Sequence, residues 1–88
     1  MVKRKLSRRG LTVKTLRLHA YPGDTLVQVR VVNERGATVL VFNIWPKTRK
    51  GVHFWNNDRF GEVHRSITEA KEWALQKALS ERKGKQQH

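Results

Sequence analysis

The chain has 88 residues, with 19 Lys and Arg against 7 Asp and Glu and a formal net charge of +12. That length suits one domain with one small core, burying about 60–65 % of the unfolded surface. No run approaches the ~18 apolar residues of a membrane span, no apolar segment follows the charged N-terminus as a secretory signal requires, and the lack of cysteine excludes disulfides, thiol catalysis and cysteine-ligated zinc. The expectation is a soluble, intracellular (cytoplasmic), strongly basic protein with no membrane partner.

The positive charge is uneven. Residues 1–17 hold seven bases (Lys3, Arg4, Lys5, Arg8, Arg9, Lys14 and Arg17) and no acid, residues 18–46 are balanced, and residues 47–65 carry five bases against two acids. A like-charge arm cannot bury itself, so residues 1–10 are expected to stay disordered until they meet a polyanion. Residues 11–82 then form a single domain, and residues 83–88 a frayed basic and polar tail.

Residues 11–21 alternate, with Leu16, Leu18 and Ala20 on one face and Thr15, Arg17 and His19 on the other, the pattern of a half-buried strand. Pro22, Gly23 and Asp24 supply the preset and positive φ of a tight turn. Residues 26–32 alternate cleanly, placing Val27, Val29 and Val31 inward and Gln28 and Arg30 outward. Asn33, Glu34, Arg35 and Gly36 close a hairpin. Residues 38–45 are nearly all apolar, as in a central strand covered on most of both faces, and Pro46 is expected to end it. Residues 47–51 read as a polar, flexible connection, and residues 52–56 as a shorter strand. Asn57 and Asp58 turn the chain, and residues 60–64 form either another strand or an extended lead into a helix.

The helix is marked by Ser66, Ile67, Thr68 and Glu69, a capping box in which the Ser hydroxyl accepts from the amide three residues on. It should run over about residues 67–82, with Gly84 as terminator. Ile67, Ala70, Ala74 and Ala78 share a stripe flanked by Trp73 and Leu75, and the alanines let the helix axis lie close to a sheet. The fold class expected is α+β: an antiparallel sheet of three to five strands with one C-terminal helix packed on one face.

One helix covers one face of such a sheet, which leaves the other for solvent or function. Arg17, His19, Arg30, Trp45, His53 and Trp55 are expected there, cations that release counterions from phosphate beside rings that stack on bases. Lys47, Arg49 and Lys50, followed by Arg59, could clamp a phosphate backbone. His19, His53, His64 and His88 have no second ligand at metal-binding spacing, so no metal or other cofactor is expected. His53, Asn56, Asp58, Glu62 and His64 lack the second fixed carboxylate or helix-borne His of a nuclease site, and catalysis is not supported.

The run His64, Arg65, Ser66, Ile67, Thr68, Glu69, Ala70, Lys71, Glu72, Trp73 resembles the strand-to-helix junction of AP2-like domains, including the arm-binding domains of tyrosine recombinases. Ser66, Glu69, Ala70 and Trp73 match that pattern, while His64 stands where an aromatic is usual. The resemblance implies a three-stranded sheet, backed by the helix, that reads the DNA major groove, with Arg30 and Arg35 facing DNA. The longer region between Trp45 and Asn57 and the extra first strand depart from the family.

These readings converge on a non-enzymatic nucleic-acid-binding protein, of phage, plasmid or archaeal accessory type, whose partner is DNA or RNA. Duplex DNA is favoured slightly by the resemblance, and single strands or RNA by the tryptophans. Its site comprises the arm (Lys3, Arg4, Lys5, Arg8, Arg9), Arg17, Arg30, Arg35, Trp45, the basic loop (Lys47, Arg49, Lys50), Trp55 and Arg59. The alternative is a protein-binding module, an inhibitor or assembly subunit, docking on an acidic partner. A third reading is a small basic ribonuclease of toxin type, dependent on His53 or His64.

Overall fold

Two glycines, each preceded by a basic residue, set the tightest turns of the chain. Arg9 and Gly10 have φ of 54° and 80°, and Lys50 and Gly51 have φ of 51° and 78°. Positive φ at both central positions is what a two-residue hairpin needs to match the right-handed strand twist. In the computed structural model, which describes residues 7–20 and 24–86, these turns join β1 (Ser7–Arg8) to β2 (Leu11–Ala20) and β4 (Thr38–Arg49) to β5 (Val52–Asn57). Between them lies β3 (Asp24–Val32); β6 (Val63–His64) and α1 (Ile67–Gln86) follow.

All strands pair antiparallel with their sequence neighbours, in the order β1-β2-β3-β4-β5-β6. The sheet curls into a half-barrel with α1 laid against it. This corrects the expected three to five strands, and six is also twice the number that the AP2-like resemblance implies. Two added strands account for the count, and a third feature lengthens β4. Ser7 and Arg8, assigned to the disordered arm, pair with Thr12 and Leu11. Residues 47–49, expected in a flexible loop, continue β4. Val63 and His64 pair with Asn56 and Trp55 to form a short edge strand.

Pro46 does not end β4. The β3–β4 pairing runs only as far as Val27 and Ile44. Beyond that point β4 has β5 alone beside it, and the missing N–H of Pro46 costs no bond to β3. Residues 45–56 therefore part from β3, which runs on to Asp24 paired with β2 alone, and form a two-stranded arm held by the pairs Trp45–Asn56, Pro46–Trp55, Lys47–Phe54, Thr48–His53 and Arg49–Val52.

The core lies between α1 and one face of the sheet. Val27, Val29 and Val31 of β3 are at most 1 % exposed, as their alternation predicts. Each such side chain contributes roughly 1.5–3 kcal/mol through burial. They meet Leu40, Phe42 and Ile44 across the β3–β4 ladder and Val13 across β2, and Ala70, Ala74, Leu75 and Ala78 of α1 close over them. In β2 the inward residues are Leu11 and Val13; Leu16 is 53 % exposed, which reverses the expected buried face of that strand. Nor is β4 covered on both faces, since Val39 is 48 % exposed.

Ser66 Oγ accepts from the Glu69 amide at 3.1 Å, the N-terminal cap that the capping box predicts. The helix passes through Gly84 to Gln86, beyond the expected stop. A helical glycine costs about 1 kcal/mol relative to alanine, too little to force a break. Among the described residues no helix is long and apolar enough to cross a membrane.

Candidate nucleic-acid interface

The period of two along each strand sorts the side chains by face. The Val13–Val31, Val29–Phe42 and Val27–Ile44 pairs point to the helix. The residues between them point away: Lys14 opposite Arg30, Arg30 opposite Val41, Leu16 opposite Gln28, and Gln28 opposite Asn43. The same face continues along the two-stranded arm through Trp45, Lys47 and Arg49 of β4 and Asn56, Phe54 and Val52 of β5. Leu26 and Val32 are buried on this open face, and its other described side chains are exposed or half-buried.

Two shallow, adjoining cavities lie on the arm. One, of about 450 Å³, is lined by Trp45, Pro46, Lys47, Asn56 and Asp58. The other, of about 460 Å³, is lined by Lys47, Arg49, Phe54, Asn56 and Val63. Lys47 and Asn56 border both. Trp45 and Phe54, both half-buried, are diagonal neighbours across the ladder, because Trp45 is opposite Asn56 and Phe54 is opposite Lys47. Such diagonal positions are about 7–8 Å apart, within reach of a common ligand.

The charge on this face is one-sided. Lys14, Arg30, Lys47 and Arg49 are all exposed. Among the described side chains the acid at its margin is Asp58, whose carboxylate is engaged: it accepts from the Asn43 amide at 2.9 Å and from Asn43 Nδ2 at 3.1 Å. Glu69, Glu72 and Glu81 sit on the helix, together with Lys71, Lys77, Arg82, Lys83 and Lys85. The Arg30 guanidinium donates to Gln28 Oε1 at 2.9 Å on the same face, which steadies it along the strand.

The sequence-predicted site residues divide accordingly. Arg30, Trp45, Lys47 and Arg49 share the open face, with Lys50 at the arm's turn. Trp55 does not join them: it lies opposite Pro46, on the helix side, packed against the core. Arg17 and His19 are also on the helix side by register, opposite Val27 and Thr25. His53 is there too, with Nδ1 2.9 Å from Thr48 Oγ1. Pro46 sets this division, because reading it as a strand end hides the alternation that separates Trp45 from Trp55.

Arg59 is held in place, donating to the Val41 carbonyl at 3.0 Å with its guanidinium 5.0 Å from the centre of the Phe60 ring. Arg35 sits in the β3–β4 turn, where its amide and that of Ala37 donate to Asn33 Oδ1. Arg8 and Arg9 belong to the β1–β2 hairpin and border a separate cavity with Gln76, Leu79 and Ser80 of the helix. Lys3, Arg4, Lys5 and the turn at Pro22 and Gly23 lie outside the described residues.

Phe54 is the addition that sequence reasoning left out altogether, and Asn56, which follows the basic loop in sequence, joins it on this face. Their signal was Lys50-Gly51: as a two-residue turn it fixes Arg49 opposite Val52, and every pair behind it follows by counting.

His64 is 2 % exposed, so its ring is withdrawn from any surface substrate. It packs on Trp73 at 5.4 Å and on Phe42 at 6.3 Å between ring centres. Asn57, 1 % exposed, holds it. The Asn57 Oδ1 already accepts from the amides of Arg59 and Phe60, so its NH₂ is the group that faces His64 Nε2 at 3.3 Å. That contact requires an unprotonated Nε2. Burial lowers the His64 pKa below its ordinary value, against the opposing pull of Glu69 and Glu62. Among the described residues no three His, Asp or Glu side chains gather as a metal site would need.

Compared with known proteins, the chain matches no family model, no curated protein and no solved structure.

Proposed function

We propose that this protein binds nucleic acid without catalysis, through the sheet face turned away from its helix. The observation that supports this most is the pairing of charge with shape. Four exposed cations, Lys14, Arg30, Lys47 and Arg49, share that face with Trp45 and Phe54, and the acid at its margin, Asp58, is engaged by Asn43. Cations so placed bind phosphates by releasing condensed counterions, which gives about 0.9 of log–log salt slope per phosphate on duplex DNA.

The test is fluorescence anisotropy of labelled DNA and RNA over a salt series. The reading predicts binding that weakens steeply with salt and depends on Lys47 and Arg49. Binding indifferent to those two residues would refute it.

A second reading, docking on an acidic protein, is favoured by a separate observation. Leu16, Val52 and Val63, which are 53–64 % exposed, all fall on the same open face. An apolar fringe around cations also suits a protein partner. The two readings separate on direct titration with polyglutamate and with an oligonucleotide of equal charge: docking on an acidic protein predicts comparable affinities, and nucleic-acid binding predicts a preference for the oligonucleotide.

A further inference from the structure

Resting on the nucleic-acid reading, we infer that the two-stranded arm takes unpaired nucleotides, with bases stacked on Trp45 and Phe54 and the strand's phosphates on Lys47 and Arg49. Three observations lead there. First, the two rings are half-buried, so each is fixed by the sheet and still offers surface. Second, they stand on one face at diagonal ladder positions with Lys47 on the same strand as Trp45 and directly opposite Phe54. Third, the hollows beside them, about 450 and 460 Å³, are within the range of small-ligand pockets and share Asn56 as a common wall.

A duplex does not use these features. Its bases are already stacked on one another, and their flat faces are closed to a ring standing on a sheet. An unpaired strand presents those faces, and aromatic side chains take them up whatever the sequence. The Asn56 amide offers both a donor and an acceptor, suited to the edge of a base held between the rings. Lys47, bordering both hollows, is placed for a phosphate between two successive nucleotides. Trp55 cannot share in this, since it faces the helix.

The experiment compares an unstructured single strand with a duplex of the same length, by anisotropy and tryptophan fluorescence. The proteins are wild type, Trp45→Leu, Trp45→Phe, Phe54→Leu and Lys47→Ala/Arg49→Ala, each checked for an unchanged circular dichroism spectrum and thermal midpoint. The expected result is about a tenfold or greater loss of single-strand affinity for Trp45→Leu and for Phe54→Leu. Duplex affinity stays within twofold, and Trp45→Phe retains most of the single-strand affinity. Fluorescence quenching by the single strand in wild type should vanish in Trp45→Phe, which assigns it to that ring without relying on a destabilised variant.

If the ring variants lose duplex and single-strand affinity equally, or lose neither, stacking is overturned while phosphate binding by Lys47 and Arg49 survives. If Lys47→Ala/Arg49→Ala leaves all binding unchanged, the nucleic-acid reading fails with it. An affinity for polyglutamate equal to that for a single strand of the same charge would also overturn stacking and favour an acidic protein partner.

Discussion

Asp58 closes the edge of β4 by reaching Asn43 twice, accepting from its amide at 2.9 Å and from its side-chain Nδ2 at 3.1 Å, while the Asp58 amide donates to the Asn43 carbonyl at 3.0 Å. One residue earlier, Asn57 makes the last β5 pair with β4, opposite Ile44. Arg59 continues the closure by donating to the Val41 carbonyl. Side chains thus replace a departed strand, and they leave less open edge for a second chain to pair with. Asp58→Ala should lower stability by about 1–3 kcal/mol, because it strands the Asn43 donors. Urea unfolding measures the loss, and a midpoint unchanged from wild type would show that water substitutes fully.

Gly10 and Gly51 share nearly the same backbone, with φ of 80° and 78°, but not the same surroundings. A Cβ at Gly51 meets nothing within 4 Å, whereas at Gly10 it runs into the Glu34 carboxylate. Gly51→Ala should therefore cost only the left-handed backbone term of about 1–2 kcal/mol. Gly10→Ala should cost more, since Glu34 must also be displaced. Equal losses in thermal unfolding would contradict this difference.

The helix sits close to the sheet because Ala70 and Ala74 are 0 % exposed and leave no space beneath it. Replacing Ala74 with Leu inserts three carbons into a filled interface, at a cost of about 1–3 kcal/mol by overpacking. Chemical denaturation should show it as a lower midpoint with an unchanged slope. A neutral result would mean that the helix is free to lift.

How much of this was legible in the sequence depended on whether the local signal matched its neighbours. Val27, Val29 and Val31 alternate with polar residues, so β3 and its inward face could be read directly. Ser66 and Glu69 marked the helix start because capping is a local interaction. Trp45 and Trp55 were both expected on the open face and only Trp45 is there, since their faces depend on whether β4 survives Pro46, and that turns on where the β3–β4 pairing ends. In β2 the even positions carry Leu16 and Leu18 and the odd positions carry Leu11 and Val13. Only the pairing of Val13 with Val31 decides which set is buried. Ser7 and Arg8 are strand residues because Arg9-Gly10 turns them back, a tertiary fact that a count of charges hides.

His64 links stability to pH with a definite sign. Its folded-state pKa lies below the unfolded value, and its Nε2 takes a hydrogen bond from Asn57 only when neutral. Well above pH ~6.5 the ring is neutral in both states and its contribution is complete. As the pH falls through ~6.5 the unfolded chain takes up a proton that the folded one refuses, and stability drops by at most about 1.4 kcal/mol per unit until the folded pKa is reached. Thermal midpoints should therefore fall between about pH 7.5 and pH 5.5, and His64→Gln should flatten that slope. A slope identical in the variant would place the titration elsewhere.

The most direct measurement is the salt dependence of polynucleotide binding by wild type and by Lys47→Ala/Arg49→Ala, followed by anisotropy on one labelled oligonucleotide. If the open face of the arm grips phosphates, removing two cations should make the log–log slope shallower by about 1.4–1.8 and weaken binding at every salt concentration. Parallel lines of equal affinity for the two proteins would contradict it, because the charge on this face would then have no part in holding nucleic acid.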